Sequence, residues 1–130
     1  MSDLLIRGAD HLLTMDDQRR ELGGADVLVR GGEIVDIGPD LRADVPVIEA
    51  SGCLVTPGLV NTHHHLYQSL TRAVPGGQDA LLFGWLQALY PIWARFTPER
   101  LRIAVRLALA ELLLSGTTTA SDHHYVFPPG

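Results

Sequence analysis

Between positions 97 and 116 the chain carries a helix pattern with both ends marked, and what stands on either side of it narrows the fold more than any other feature. Thr97 is a good N-cap, Pro98 suits the first helical position and Glu99 favours the positive end of the helix dipole. Gly116 stands where a C-terminal cap belongs. Leu101, Val105, Ala108, Leu109 and Leu112 recur at helical spacing, so one face is predicted to pack. Ahead of this helix lies a short apolar strand, Leu59 to Thr62, which runs straight into three histidines. Behind it a β-branched run, Thr117-Thr118-Thr119, continues through Ala120 to Tyr125 as a second strand with a polar end. Strand, loop, helix, strand is a βαβ unit, whose two strands run parallel. Polar residues at the C-terminal ends of both strands suit the active face of a (β/α)8 barrel. Such a barrel takes ~250 residues, so the chain is expected to hold only its first strands and to be a fragment.

Residues 3 to 56 follow a different rhythm, with short β-rich runs separated by turn residues. Leu4 to Ile6 is the first, and Val27 to Ile37 reads as a hairpin about Gly31-Gly32, because that pair permits the positive φ angles of a tight primed turn. Further strands are predicted at Pro46 to Glu49 and Cys53 to Val55, about four or five in all. The pattern changes at Thr56-Pro57-Gly58, which divides the chain into a β-rich segment, 1–56, and the start of the barrel, 57–130. Within the second part a loop at Pro75-Gly76-Gly77 leads to an aromatic helix from Asp79 to about Trp93, with Pro91 expected to end or kink it near Tyr90.

Composition removes several classes of function. The chain is 46% hydrophobic and 19% charged, the balance of an ordinary soluble domain. A formal charge of −5 gives no electrostatic reason to expect a nucleic-acid or anionic-membrane partner. Arg102, Arg106 and Glu111 interrupt the longest apolar stretch, so no membrane span is expected. Cys53 is the single cysteine, which excludes an intrachain disulfide and also a zinc site built on Pro-Cys-x-x-Cys. The start Met-Ser-Asp has neither a basic stretch nor an apolar run, so a cytoplasmic location is the expectation.

In an extended strand, alternate side chains share a face, so His63 and His65 point one way and His64 the other. Two imidazoles on one side of a strand end can reach one divalent ion at ~2.0–2.1 Å. Three adjacent histidines alone would more often be a surface or chance cluster; their place at a strand end turns the reading towards a metal. The same alternation brings one of His123 and His124 inward, and since Asp122 shares a face with His124, the choice between a ligand and a hydrogen-bonded structural pair stays open.

The segment Pro57-Gly58-Leu59-Val60-Asn61-Thr62-His63-His64-His65-Leu66-Tyr67-Gln68 resembles the signature of the amidohydrolase superfamily, in the branch of s-triazine hydrolases and guanine and 8-oxoguanine deaminases. The resemblance extends over essentially the whole chain, including residues 116–125. It implies that His63 and His65 bind the catalytic metal, zinc first and iron second, with His64 in the variable middle position. It further implies that the remaining ligands and the proton-shuttling glutamate come from later barrel strands, so no catalytic acid or base is expected within residues 1–130. The early strands would form one half of a β-sandwich built from both chain ends. Gln68 resembles a substrate-binding glutamine of these enzymes, a solvated loop residue being the alternative. Trp85 is expected to pack rather than to touch a ligand, and Arg72 and Arg95 carry no pattern that separates function from surface.

The runs His63 to Arg72, Gln78 to Leu86 and Leu89 to Pro91 most resemble 8-oxoguanine deaminases, with hydroxyatrazine ethylaminohydrolases and isoxanthopterin deaminases close behind. The resemblance thus implies metal-dependent hydrolysis that releases ammonia from a small heterocyclic substrate, and it leaves homo-oligomerisation open. The competing reading is a non-catalytic binding or structural fragment, since a two-ligand metal site alone is weak.

Overall fold

In the computed structural model, which describes residues 3–129, the chain divides into two units, Met1–Pro57 and Gly58–Gly130. Seven strands make up the first: β1 (Leu4–Ala9), β2 (His11–Leu13), β3 (Glu21–Leu22), β4 (Ala25–Arg30), β5 (Glu33–Gly38), β6 (Val47–Glu49) and β7 (Leu54–Val55). One sheet has the order β5-β4-β1-β6 and the other β3-β2-β7. Buried Ala9, Ala25 and Val27 of the first sheet and Leu12 of the second share one apolar cluster, so the two sheets enclose a common core.

The hairpin turns where the glycines predict it. Gly31 and Gly32 have φ of 61° and 89°, as a primed two-residue turn requires. The count of four or five strands falls short of the seven observed, because β2 and β3 are only three and two residues long; β7 falls within the strand expected at Cys53 to Val55. Such strands have no periodicity of their own and exist through their partners, Leu12 against Leu22 and His11 against Leu54. Buried Asp26 accepts hydrogen bonds from the backbone N–H groups of Gly8 at 2.7 Å and Leu41 at 2.8 Å, which ties the loop after β5 to β1.

The second unit contains β8 (Leu59–His64), a 3₁₀ turn at Leu66–Thr71, α1 (Leu82–Trp93), α2 (Pro98–Leu114) and β9 (Thr117–Asp122). β8 and β9 pair in parallel, so the strand–helix–strand reading holds. The Thr97 hydroxyl accepts from Arg100 N–H at 3.2 Å, and Gly116 has φ of 84° beyond the last helical turn. Both caps of α2 are those its sequence predicts. Its buried stripe is Ala104, Ala108 and Leu112, with Val105 packed beside them; Leu109, expected inside, is 40% exposed.

Two expectations about α1 are corrected. Asp79 adopts φ of 57°, a left-handed conformation that no α-helix continues, so the helix begins at Leu82. Pro91 does not end it, and the helix runs on to Trp93. The proline lies in the last turn, where Ala94 N–H still reaches Tyr90 O at 2.9 Å and the buried Leu89 and Trp93 anchor the end. Trp85 packs edge-to-face on Trp93 with ring centroids 5.3 Å apart, the structural role expected of it. Among the described residues no helix is long and apolar enough to cross a membrane.

Candidate metal centre

Asn61 sets the local backbone at the end of β8, its Oδ1 accepting from His63 N–H at 3.1 Å. The strand then presents His63 and His65 on one side, with their Nε2 atoms 3.2 Å apart. Two nitrogens at the zinc–nitrogen distance of ~2.0–2.1 Å, subtending a tetrahedral angle, lie ~3.3 Å apart. The pair therefore already matches one edge of a zinc coordination tetrahedron.

The protonation pattern of His65 fits a metal as well. Its Nδ1 lies 2.8 Å from the backbone carbonyl of His123, and the Tyr125 hydroxyl stands 3.0 Å from the same nitrogen. A carbonyl oxygen only accepts, so Nδ1 carries the proton and Nε2 keeps its lone pair for an ion. Orientation of a ligating histidine through its other nitrogen is the usual support of such sites. His64 lies between them, and its Nδ1 is buried without a hydrogen-bond partner.

The question left open between His123 and His124 is answered by their contacts. His123 turns towards the pair, its ring centroid 4.3 Å from that of His63. The ligating atoms of His63, His65 and His123 lie within 4.8 Å of one another. His124 is tied at both nitrogens, Nδ1 to Asp122 Oδ2 at 3.0 Å and Nε2 to the Val126 carbonyl at 2.8 Å, which leaves none for a metal.

Gln68 sits on the 3₁₀ turn and shares a shallow cleft of about 260 Å³ with His63, His64, His65, Ser69 and Arg72. Its amide donates to the Tyr67 hydroxyl at 3.1 Å, which leaves the second amide proton and the carbonyl oxygen for other partners. Tyr67 is fully buried between Trp93, His124 and Tyr125, and this burial pushes its hydroxyl above the usual tyrosine range. Arg72, which no sequence pattern distinguished, pairs with Glu111 of α2, and that hydrogen bond holds the Glu111 carboxyl below its ordinary range. Sequence reasoning missed Tyr67 and Tyr125. The second was within reach, since in extended chain it shares a side with His123.

Comparison with known proteins adds the following. Residues 54–128 match the amidohydrolase family. The chain is 54% identical over 108 residues to an 8-oxoguanine deaminase of Pseudomonas aeruginosa, covering 80% of this chain and 24% of that protein. It is 41% identical over 133 residues to an isoxanthopterin deaminase of an unknown prokaryotic organism, covering 97% of this chain and 27% of the relative. Among solved structures, an atrazine chlorohydrolase from Arthrobacter aurescens TC1 complexed with zinc superposes with a TM-score of 0.87 at 38% identity, over 92% of this chain and 28% of that one. The chain thus spans about a quarter of the length of these relatives. Since the family match covers more than half of the chain, from β7 through both helices and past the histidines around the ends of β8 and β9, the chain belongs to the amidohydrolase family.

Proposed function

We propose that the full-length protein is a metal-dependent hydrolase that removes an amino group from a heterocyclic ring, with 8-oxoguanine as the first substrate to test. The observation that carries this reading is the His63–His65 pair, with Nε2 atoms 3.2 Å apart in a cleft shared with Gln68. In this reading β8 and β9 are the first two strands of a (β/α)8 barrel, and the strands of residues 3–56 are one part of a β-sandwich. The parallel pairing of β8 with β9, and histidines at both C-terminal strand ends, support that architecture.

His63 and His65 would hold a divalent ion, zinc before iron. A bound zinc ion supplies a water acidified towards neutrality, ready to attack a ring carbon. Water adds at the carbon that bears the amino group, the carbon–nitrogen bond breaks, ammonia leaves with the proton it needs, and a ring carbonyl remains. His65, its Nδ1–H donated to the His123 carbonyl, keeps one ring orientation throughout. Gln68 would read the ring edge, since an amide both donates and accepts. A substrate lacking the complementary group would leave that amide unsatisfied at a cost of ~1–3 kcal/mol.

The ranking of 8-oxoguanine first rests on the 54% identity to a deaminase of that name; isoxanthopterin follows from the second deaminase, and hydroxy-s-triazines from similarity to a hydroxydechloroatrazine ethylaminohydrolase. Ammonia release from 8-oxoguanine, guanine, isoxanthopterin and hydroxy-s-triazines by the zinc-loaded, full-length protein tests the proposal. Turnover of 8-oxoguanine, lowered by Gln68→Ala with zinc content unchanged, is the expected result. Activity on triazines alone moves the substrate to that class, and no ammonia from any of the four, with zinc bound, overturns the deaminase reading.

A further inference from the structure

The hydrogen bond that fixes His65 comes from a backbone carbonyl beyond the end of β9, and a backbone carbonyl is only as well placed as the chain that carries it. β9 ends at Asp122, so the His123 carbonyl belongs to irregular chain. Something other than the sheet must hold it. The Asp122 carboxylate does this from two sides. Its Oδ1 accepts from Leu66 N–H at 2.9 Å, directly after His65, and its Oδ2 binds His124 Nδ1 at 3.0 Å. His124 closes the turn by bonding the Val126 carbonyl at 2.8 Å through its other nitrogen, and its ring packs edge-to-face on buried Tyr67 with centroids 5.4 Å apart. His123 N–H adds a bond to the His64 carbonyl at 2.7 Å. The chain from 122 to 126 is thereby locked to the chain from 64 to 67, and the lock aims the His123 carbonyl and the Tyr125 hydroxyl at His65 Nδ1.

We propose that Asp122 and His124 are positioning residues for the metal ligand His65, acting together as a clamp that sets its tautomer and ring orientation through the His123 carbonyl. The inference rests on the proposed metal role of His63 and His65, but not on any choice of substrate. Neither residue touches the metal pair with its own side chain; Asp122 and His124 act on it through backbone. Loss of an outer partner of a ligating histidine typically lowers metal affinity 10- to 100-fold.

Zinc affinity of the full-length protein, measured by competition with a chelator, provides the test together with ring ¹⁵N shifts of His65 in the metal-free protein. Asp122→Ala should weaken zinc about 10- to 100-fold, and Asp122→Asn, which can still accept from Leu66 N–H and hydrogen-bond His124, should recover most of that loss. His124→Phe keeps a ring against Tyr67 and should weaken zinc in the same way, while moving the His65 proton away from Nδ1. Should Asp122→Ala fail to fold, His124→Phe carries the comparison, and the wild-type ¹⁵N shifts stand independently of either variant. A His65 proton found on Nε2 in the folded wild-type protein overturns the clamp, as does unchanged zinc affinity in folded Asp122→Ala or His124→Phe. Failure of the wild-type protein to bind zinc at all would instead refute the metal site beneath it, and with it the proposed function.

Discussion

Gly58 stands one residue before β8, and a methyl group there has nowhere to go. An added Cβ would lie 2.2 Å from Thr118 Oγ1, 2.3 Å from its Cγ2 and 2.7 Å from its Cβ. Carbon atoms in contact sit ~3.5–4.0 Å apart, so the overlap is more than an ångström. Rotating Thr118 moves the first two atoms but not the third, which is rooted on β9. Relief therefore requires β8 and β9 to separate where Leu59 N–H bonds the Gly116 carbonyl at 2.9 Å. Overpacking costs ~1–3 kcal/mol and a strained or lost hydrogen bond ~1 kcal/mol, so Gly58→Ala should destabilise this unit by about 3 kcal/mol. The urea midpoint of the full-length protein should fall accordingly, and zinc occupancy with it, because β8 carries His63. Thr118→Gly removes all three clashing atoms. In that background Gly58→Ala should cost under about 1 kcal/mol, a coupling well beyond the ~0.5 kcal/mol within which independent sites add. Equal costs of Gly58→Ala in both backgrounds would show that the close approach of the two strands is not the reason for glycine here.

Replacing both His63 and His65 with alanine should abolish zinc binding by the full-length protein, read by metal analysis after dialysis, whereas His64→Ala should leave most of it; equal loss in the two variants would remove the distinction between His64 and its neighbours. Buried Tyr67 makes the alkaline limit of stability predictable: its hydroxyl titrates higher in the folded chain than in the unfolded one, where it ionises near ~10. The stability it contributes is full below that value and is lost as pH rises through the folded value. Urea midpoints from about pH 8 to about pH 11 should thus fall less steeply in Tyr67→Phe than in the wild-type protein, and parallel curves would refute the assignment.

How much of this could be read from residues alone depended on whether a residue's role was local. Thr97, Pro98 and Gly116 bound α2 because capping is a matter of a few adjacent backbone groups, and Gly31-Gly32 makes its turn for the same reason. The parallel strands followed from the order of elements. By contrast β2 and β3 are defined by pairing across 8 to 43 positions of sequence, which no local pattern carries. Ala104 is buried and Leu109 exposed, an order that ranking the two by hydrophobicity would reverse. Asp79 shows the limit of propensity in the other direction, its left-handed φ delaying a helix whose apolar pattern would have started earlier.

The candidate centre divides along the same line. Strand alternation was enough to bring His63 and His65 together, since period two is a property of one strand, although His64 lines the same cleft. It was not enough at the end of β9, where regular strand stops at Asp122 and alternation ceases to apply. There the partners decide: Asp122 and Val126 claim both nitrogens of His124, so the neighbouring His123 is left to face the pair. The contribution of His123 to His65 is then a carbonyl oxygen, which every residue possesses and no motif can mark. What the sequence does mark is the set of side chains that aim this carbonyl. The segment Asp122-His123-His124-Tyr125 is therefore better understood as one device, two residues holding and two residues facing the His63–His65 pair, than as a pair of candidate ligands.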